Sequence, residues 1–350
     1  MPESSGQSQR RPIGAGDARS RAASAYIDGV AGDGATARGN AAAWQRYSIR
    51  PHVLRDVTVV DPRVTVLGRT LPSPIIVAPW AGQGHADPRG ELATARAATS
   101  CGATLCLSSG SSYPIETVAA ISGPYIQQLY LPTNRNIVAP FLRRVVAAGA
   151  FAIAVTVDNP TTGTRASFRA GLAPYTPLRS VNFPSVRDRR TLAAATDVTA
   201  RDITWLQEFT GLPILVKGVL RGDDVAQVID AGAAGVIVSN HGGRQLDGTI
   251  PTAEALTDIV DTVSDTATVI VDGGIRTGTD ILRAIALGAD AVAVGHPLAR
   301  ALADGGETAV HKVLTDLLAD FDTALALTGT PTVPELTRDL LSPSPSSRPQ

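Results

Sequence analysis

Eight short apolar segments, separated along the chain by alanine-rich segments, set the strongest limit on the fold of this sequence. Each is rich in β-branched residues and nearly continuously apolar, as expected of parallel strands that are buried on both faces. The intervening segments, such as Pro88–Ser100 and Asp280–Leu287, have helical periodicity. The predicted strands are Ile75–Pro79, Thr104–Ser108, Tyr125–Leu131, Phe151–Asp158, Ile214–Gly218, Gly235–Asn240, Thr268–Asp272 and Ala291–Gly295.

Eight consecutive strand–helix units predict an α/β protein that closes into a (β/α)8 TIM barrel. A doubly wound open sheet is the alternative, and it would place a glycine-rich fingerprint after the first strand. The chain has Trp80-Ala81-Gly82-Gln83 there, which is a poor match. We therefore expect a single barrel domain over residues 21–340, beginning with a short helical segment. The chain has 350 residues, of which 44% are hydrophobic, and this suffices for such a core.

Both ends of the chain are predicted to be disordered tails. Residues 1–20 contain no apolar signal core, and residues 341–350 are rich in serine and proline. A third stretch, residues 165–200, is long, weakly periodic and rich in proline and arginine. Loops of that length in compact domains are usually functional, so we expect a lid or a mobile segment there.

Composition narrows the class of partner. A net charge of −1 gives no reason to expect nucleic acid binding. No run approaches the roughly 18 apolar residues of a membrane span. The two cysteines, Cys101 and Cys106, favour a reduced, cytoplasmic protein over a disulfide scaffold. These observations favour a small-molecule partner.

The C-terminal ends of the predicted strands are unusually polar. Barrel enzymes place their active sites at these ends, where loops from different strands meet at one mouth. Six polar ends that converge there form a stronger signal than any single residue. The polar residues at these ends are Gln83, Ser108, Ser109, Gln128, Tyr130, Thr156, Asp158, Lys217 and His241.

A turn rich in functional residues, Ser-Asn-His-Gly-Gly-Arg-Gln-Leu-Asp-Gly at 239–248, follows the predicted sixth strand. It presents His241 and Arg244 three residues apart, which offers a base and a carboxylate-binding cation to a small hydroxy acid. A lone histidine is more often structural, but Asp158 is available from another strand end to hold the imidazole. Asp158 could instead cap the turn at Asn159 and Pro160.

Lys217 stands out because only two of the 31 basic Lys and Arg residues are lysines. A lysine after a strand is usually just solvated. Its retention in the apolar context Ile-Leu-Val-Lys-Gly-Val indicates that a compact ammonium is needed there rather than a guanidinium fork.

Two glycine-containing turns after the seventh and eighth strands predict a phosphate site. Residues 272–278, Asp-Gly-Gly-Ile-Arg-Thr-Gly, and residues 295–297, Gly-His-Pro, occupy the usual phosphate-binding loops of barrels. Glycine lets backbone N–H groups approach an anion, and Arg276 adds positive charge. One such turn is weak evidence, and the two together are good evidence.

From about Tyr26 to Pro297 the sequence resembles the FMN-dependent α-hydroxy acid oxidases and dehydrogenases, such as glycolate oxidase, lactate oxidase and mandelate dehydrogenase. The resemblance implies FMN as cofactor and oxidation of an L-2-hydroxy acid to the 2-oxo acid, with two electrons passing to flavin N5. It also implies a homo-oligomer, tetrameric in the family. No metal site is predicted. Besides residues 239–248, it is carried by the two glycine turns and by Tyr26–Asp33, Ala78-Pro79, Gly90–Ala97, Leu107–Ser109, Gln128–Tyr130, Thr156–Asp158 and Leu215–Gly218.

The resemblance also assigns roles to individual residues. His241 matches the base with Asp158 behind it, Tyr130 contacts the substrate, and Lys217 sits by the N1–C2=O edge of the flavin to stabilise its negative charge. Substrate-carboxylate and pocket positions match Tyr26, Arg165 and Arg244. Flavin-contacting positions match Ala81, Ser108, Gln128, Thr156, Lys217, Ser239, Asp272, Gly274, Arg276, Gly295 and His296.

Three departures from the family pattern bear on specificity. Gly110 stands where many relatives have a bulky aromatic wall, so we expect a roomier pocket and a substrate larger than glycolate, or an aromatic one. His296 stands where Gly-Arg-Pro is usual, which makes one phosphate contact weaker or pH-dependent. Trp80 is bulky where small residues are common, and the sequence does not explain it.

Two alternatives to this function stay open from the sequence. One is FMN-dependent oxidation of an amine or a peptide-derived intermediate in a biosynthetic pathway. The other is a flavin-binding module without catalysis, against which the intact set of His241, Arg244, Asp158 and Tyr130 argues. The sequence does not decide between hydride and carbanion transfer, nor between oxygen, a quinone and a protein as electron acceptor.

Overall fold

A computed structural model describes residues 23–165, 181–186 and 188–343. Within them, eight parallel strands close into a barrel in which neighbours in sequence are neighbours in space, with the last strand beside the first. The barrel strands are β4 (Ile75–Val77), β5 (Thr104–Ser108), β6 (Tyr125–Leu129), β7 (Ala150–Thr156), β8 (Ile214–Val219), β9 (Gly235–Val238), β10 (Thr268–Asp272) and β11 (Ala291–Val294). The predicted (β/α)8 barrel is confirmed.

Every predicted strand coincides with a barrel strand, and the differences lie at the ends. Thr104–Ser108 and Thr268–Asp272 match to the residue. β6 stops at Leu129, two residues before the predicted end, and β7 stops at Thr156 rather than Asp158. Beyond these ends Leu131 is still buried, and the backbone N–H of Val157 still donates to the Lys217 carbonyl at 2.9 Å, so the sequence pattern extends past the assigned strands.

Nine α-helices have both ends within the described residues, and most of them cover the outside of the barrel. Several begin where local sequence predicts it: α8 starts one residue after Thr277, which forms a reciprocal capping box with Asp280. The helices are α1 (Ala35–Trp44), α2 (Gly90–Ser100), α3 (Ile115–Ser122), α4 (Ala139–Ala147), α5 (Ala200–Thr210), α6 (Gly222–Asp230), α7 (Thr252–Val263), α8 (Gly278–Ala286) and α9 (His296–Thr328). None of the described helices is long and apolar enough to cross a membrane.

Two separate cores hold the barrel together. A large one lies between the strands and the surrounding helices. A smaller one fills the barrel interior and includes Ile76, Cys106 and Leu215. The hairpin β2 (Val64–Val66) and β3 (Arg69–Leu71) adds Val64 and Val66 to it. The backbone N–H of Leu67 in this hairpin donates to Thr268 at the start of β10, so the hairpin closes the N-terminal end and leaves the opposite end for a site.

The predicted C-terminal tail is wrong at its first three residues. Leu341–Pro343 form strand β12, which pairs antiparallel with β1 (Tyr47–Ile49). Leu341 is buried in the large core, and burial of its side chain together with the ladder hydrogen bonds outweighs the disorder-prone composition that follows. Residues 344–350 and the predicted tail at 1–20 lie outside the described residues.

Residues 23–34, which we call the strap, cross the mouth of the barrel. Residues 23–27 are helical, in line with the predicted N-terminal helical segment. The backbone N–H of Ala31 donates to Gly243 (2.9 Å) and that of Gly32 to Thr164 (3.2 Å), so the strap joins the loops that follow β7 and β9. Of the expected lid at 165–200, residues 166–180 and 187 lie outside the described residues.

Candidate active site

A cavity of about 700 Å³ opens at the C-terminal ends of the strands, and all eight strand ends, the strap and α1 contribute to its wall. This volume falls within the range of small-molecule and cofactor sites. The sequence-predicted residues that line it are Tyr26, Ala81, Ser108, Gln128, Tyr130, Thr156, Arg165, Lys217, His241, Arg244, Asp272, Gly274, Arg276, Gly295 and His296. Asp158 and Ser239 lie behind this wall and contact residues that form it.

His241 is held by Asp158, from the end of a different strand, and by Ser239, from the end of its own strand. Its Nδ1 lies 3.0 Å from Oδ1 of Asp158, and its backbone N–H donates to the Ser239 hydroxyl at 3.1 Å. Its φ of 57° is in the left-handed region, which costs a non-glycine residue free energy. Gly218 is required beside this pair, because a Cβ there would lie 2.5 Å from Cβ of Asp158.

The carboxylate of Asp158 fixes the tautomer of His241. Burial raises the pKa of Asp158, but the charge and hydrogen bond of His241 and the charge of Lys217 outweigh it and leave the pKa below its ordinary value. An ionised carboxylate only accepts hydrogen bonds, so the proton lies on Nδ1 of the neutral imidazole. Nε2 then has a free lone pair and can act as a base.

Lys217 is a buried, permanently charged group in the cavity wall. Its Nζ donates to the Ser239 hydroxyl at 2.5 Å and lies 2.9 Å from Oδ2 of Asp272. Burial alone would lower its pKa, but Asp272 and Asp158 raise it above the ordinary value. The side chain is only 6% exposed, so its charge acts on the cavity with little screening by water.

A row of buried polar side chains spans three adjacent strands. The Ser108 hydroxyl on β5 donates to Oε1 of Gln128 on β6 at 3.1 Å. Nε2 of Gln128 donates to the Thr156 hydroxyl on β7 at 3.0 Å. The row gives the cavity a polar wall whose donors and acceptors are held in place by each other.

The glycine turn after β10 forms a cradle that no larger residue could form. Gly273 and Gly274 have φ of 93° and 83°. A Cβ at Gly274 would lie 2.3 Å from the carbonyl oxygen of Asn40, because α1 packs directly on the turn. The indole N–H of Trp44, also on α1, donates to the Gly273 carbonyl at 2.9 Å. The turn is therefore rigid and approachable through its backbone.

Two guanidinium groups meet in the cavity wall beside the strap. Burial and the charge of Arg244 lower the pKa of Arg165 to about 10. Arg165 donates through Nε to the Arg244 carbonyl at 3.3 Å. Two adjacent cations in a partly buried site favour binding of an anion. Tyr130 is beside them, and burial and Asp158 raise the pKa of its phenol, which therefore stays neutral.

Arg244 also holds the strap, which the sequence did not reveal. Its Nη1 donates to the carbonyls of Ile27 and Gly29, both at 2.9 Å, and its Nη2 donates to that of Tyr26 at 2.7 Å. The guanidinium carbon lies 5.0 Å from the centre of the Tyr26 ring. Arg244 therefore positions Tyr26 in addition to presenting charge to the cavity.

Other positioning residues were missed as well. The Asp247 carboxylate accepts from the backbone N–H of Asp33 (3.0 Å) and of Thr36 (2.8 Å). The turn at 239–248 therefore caps the start of α1. Asn40 and Asn240 exchange two amide hydrogen bonds of 2.8 and 2.7 Å. Each pair is separated by 200 or more residues, so no local sequence signal could have found them.

The expectation for Gly110 needs correction. Gly110 lies behind Ala81 rather than on the cavity wall, and a Cβ at Gly110 would lie 2.9 Å from Cβ of Ala81. The backbone N–H of Gly82 donates to the Gly110 carbonyl at 3.0 Å, which holds the two loops together. The absent side chain can therefore affect the cavity only through the position of Ala81. Trp80, by contrast, lines the cavity directly.

These features fit FMN. The glycine cradle at Gly274, the buried ammonium of Lys217 and the polar row from Ser108 to Thr156 lie in one cavity, and they offer an approachable backbone to a phosphate group and a cation and polar groups to a ring system. Within the described ranges, no three or more His, Cys, Asp or Glu side chains are arranged to hold a metal ion.

Comparison with known proteins also indicates an FMN-dependent enzyme. The profile of a family described as FMN-dependent dehydrogenase matches residues 15–343. A peroxisomal (S)-2-hydroxy-acid oxidase, GLO4 of Oryza sativa subsp. japonica, is 42% identical over 326 residues, 89% of each chain. An L-lactate oxidase of Nostoc sp. is 40% identical over 324 residues, 87% of this chain and 88% of its own.

Solved structures of mandelate oxidase have the same fold. A variant crystallised with (S)-mandelic acid superposes with a TM-score of 0.85 at 36% identity and covers 95% of this chain and 98% of its own. A structure with the C4a-OH-FMN adduct gives a TM-score of 0.83 at 36% identity, over 93% of this chain and 98% of its own.

Proposed function

The chain belongs to the FMN-dependent dehydrogenase family and is an FMN-dependent oxidoreductase of 2-hydroxy acids; within that activity, we propose that its substrate is an L-2-hydroxy acid larger than glycolate, with aryl-bearing acids preferred. The observation that carries the activity is that a carboxylate-held base, His241, shares one cavity with two guanidinium groups, Arg165 and Arg244.

Two observations support a substrate with a large side chain. The wall at Ala81 is small and is backed by Gly110, while Trp80 offers an aromatic surface in the same cavity. An aryl ring packed on an aromatic side chain gains free energy beyond its buried area. The solved structures that superpose on this chain include mandelate oxidase with (S)-mandelic acid. The side chain of this 2-hydroxy acid is a phenyl group.

The residues that would hold FMN divide into two groups. Ser108, Gln128, Thr156 and Lys217 would contact the ring system, with Ser239 behind Lys217. When bound, FMN accepts the two electrons of the oxidation. At the opposite end, the phosphate would lie against the turns after β10 and β11, with Gly274, Arg276, Gly295 and His296 around it and Asp272 beside Lys217.

The chain's own groups would orient the hydroxy acid and move its proton. Arg165 and Arg244 would bind the carboxylate, and the phenols of Tyr26 and Tyr130 would complete the contact. Nε2 of His241 would accept a proton from the substrate. Asp158, held ionised, would stabilise the imidazolium that results. The positive charge of Lys217 would stabilise negative charge that develops beside it.

Anaerobic mixing with a panel of 2-hydroxy acids tests the substrate class. Loss of flavin absorbance should be fastest with (S)-mandelate, slower with (S)-lactate and glycolate, and absent with (R)-mandelate. Admission of air then distinguishes an oxidase, which recovers its colour at once, from an enzyme that needs a quinone or a protein acceptor. Bleaching by amines but not by hydroxy acids would overturn the proposal.

A variant at Gly110 tests the role of the cavity wall at Ala81. In Gly110→Trp the new side chain must displace Ala81 towards the cavity, because even a Cβ at Gly110 contacts it at 2.9 Å. Burial of an aryl ring contributes roughly 1.5–3 kcal/mol, about ten- to a hundredfold. In the flavin-replete variant, we expect the kcat/KM for (S)-mandelate, divided by that for glycolate, to fall by that factor. An unchanged ratio would show that Trp80 or the loop after β7 sets the size.

Assembly and location are further proposals. Val53, Leu54 and Val59 lie on the surface of one short segment, which suits a homo-oligomer, and we propose the tetramer of the family. Sedimentation velocity would show a single species of four chains. The cytoplasmic location stays a prediction, and the peroxisomal relative from rice offers the alternative.

A further inference from the structure

The phosphate end of the cavity contains an unusual pair, a histidine and an aspartate from opposite ends of the chain. Nε2 of His296, at the start of α9, lies 3.1 Å from Oδ1 of Asp28 on the strap. Arg300, one turn further along α9, donates to the other oxygen of Asp28. Both Asp28 and His296 line the cavity, on the same side as Arg276.

The contact with Asp28 determines which ring nitrogen carries the proton of neutral His296. Oδ1 of an ionised carboxylate can only accept, so Nε2 must be the protonated nitrogen. Nδ1 of the neutral ring is then an acceptor, which cannot donate a hydrogen bond to a phosphate oxygen. Only the imidazolium has an N–H on both nitrogens.

We propose that His296 binds the cofactor phosphate only as the imidazolium, and that Asp28 imposes this by holding the proton on Nε2. Asp28 is thus a positioning residue for the cofactor, and retention of FMN depends on pH. The inference rests on the proposed placement of the phosphate against the turns after β10 and β11, and it is independent of the substrate class.

The charges that face His296 set the direction of the pH dependence. Burial and the nearby guanidinium groups of Arg276 and Arg244 lower the pKa of His296. Asp28 contributes a negative charge that Arg300 partly neutralises. A bound phosphate dianion adds negative charge and must raise the pKa of His296 relative to the FMN-free protein.

The sign of the effect follows from linkage. A group whose pKa is raised by a ligand strengthens binding at pH below its pKa in the free protein, and this gain is lost as pH rises through its pKa in the complex. FMN should therefore dissociate faster as pH rises across the range in which histidines titrate, about pH 5 to 8.

FMN release from the holoenzyme is the measurement, because free FMN is fluorescent and no substrate is needed. The rate is followed after dilution across this pH range in wild type and in His296→Arg. Arginine keeps a charge at every pH, so the variant retains any titration of the phosphate itself but loses that of residue 296. We expect the wild-type release rate to rise about ten- to a hundredfold more than the variant's, the scale of one charged hydrogen bond.

Asp28→Ala separates the tautomer effect from simple charge. Without Asp28, the neutral ring can place its proton on Nδ1 and donate to the phosphate at high pH. The variant should therefore release FMN more slowly than wild type near pH 8 and show a flatter profile. If loss of Asp28 only weakens retention at every pH, the tautomer role is wrong. If His296→Arg and wild type have parallel profiles, His296 does not contact the phosphate, whatever substrate the enzyme oxidises.

Discussion

Two buried aspartates at the mouth of the barrel are built alike and differ in their partners. Asp158 contacts His241 through Oδ1 at 3.0 Å, and Asp272 contacts Lys217 through Oδ2 at 2.9 Å. In each, the second carboxylate oxygen is buried without a hydrogen-bond partner among the described residues. The partner of Asp158 is an imidazole, which can accept or donate a proton, whereas the partner of Asp272 is an ammonium whose pKa is raised and which keeps its charge.

The difference separates two tasks that the same side chain can perform. Beside a histidine, a buried carboxylate fixes a tautomer and stabilises the cation that forms when the base takes up a proton. Beside a lysine whose pKa is raised, it balances a charge that never changes and holds it in place. We therefore expect loss of the first pair to affect mainly the rate of the reaction, and loss of the second to affect stability and cofactor binding as well as the rate.

The largest effect should come from removal of the base. His241→Gln keeps an amide that can contact Asp158 but cannot take up a proton at neutral pH. Flavin reduction by substrate should slow by about 10²–10⁴-fold, with FMN still bound. Stopped-flow absorbance under nitrogen measures the rate, and the visible spectrum reports FMN content. A loss of only a few-fold would identify another residue as the base.

Removal of the fixed cation should act on stability instead. Lys217→Met leaves Asp272 buried without its counter-ion, which costs about 3–5 kcal/mol of unfolding free energy. Urea unfolding of the purified protein, together with its FMN content, tests this. Lys312→Met is the matched control, because Lys312 pairs with Asp316 at the surface. If both variants unfold at the same urea concentration, the Lys217–Asp272 pair contributes little.

Asp158→Asn should slow turnover by about 10²-fold and change its pH dependence. In wild type the pKa of Asp158 is below its ordinary value, so the carboxylate stays charged as pH falls through the range in which histidines titrate. The acid limb of kcat/KM then reports protonation of the base. Loss of the negative charge disfavours the imidazolium, so the limb should move to lower pH. An unmoved limb would mean that Asp158 is uncoupled from the base.

The smallest effect should come from Arg244, the proposed substrate-binding cation. Arg244→Lys replaces a planar fork with an ammonium that cannot make two parallel hydrogen bonds to a carboxylate. We expect about 1–3 kcal/mol of transition-state binding to be lost, mostly as a raised KM. Steady-state kinetics with a 2-hydroxy acid measure it. A nearly silent change would restrict Arg244 to holding the carbonyls of the strap.

Much of the barrel and of its chemistry could be predicted from local sequence. Strands buried on both faces must be apolar along their length, so runs such as Thr104–Ser108 stand out without any partner in view. The predicted site residues converge because parallel strands deliver their C-terminal ends to one mouth. Asp158 was expected to face His241 because both follow such strand ends, and the two side chains lie 3.0 Å apart.

Other features could not be predicted because their cause is not local. Leu341 belongs to a strand only because β1 is beside it, and its own neighbours in sequence favour a tail. Gly110 seemed to open the pocket, yet the folding of two loops places Ala81 in front of it. Propensity and pattern describe one segment at a time, so they do not reveal which distant segment will cover it.

From the sequence, apolar periodicity predicted the barrel, and the resemblance carried by short motifs indicated the cofactor class and the proposed pair of His241 and Asp158. The way in which the strap is held follows from the tertiary structure: Arg244 donates to the carbonyls of Tyr26, Ile27 and Gly29, Asp247 accepts from the backbone at the start of α1, and His296 contacts Asp28, which is 268 residues away along the chain. Closure of the barrel brings these groups within hydrogen-bond distance, and that proximity arises from packing of the whole domain rather than from any one segment.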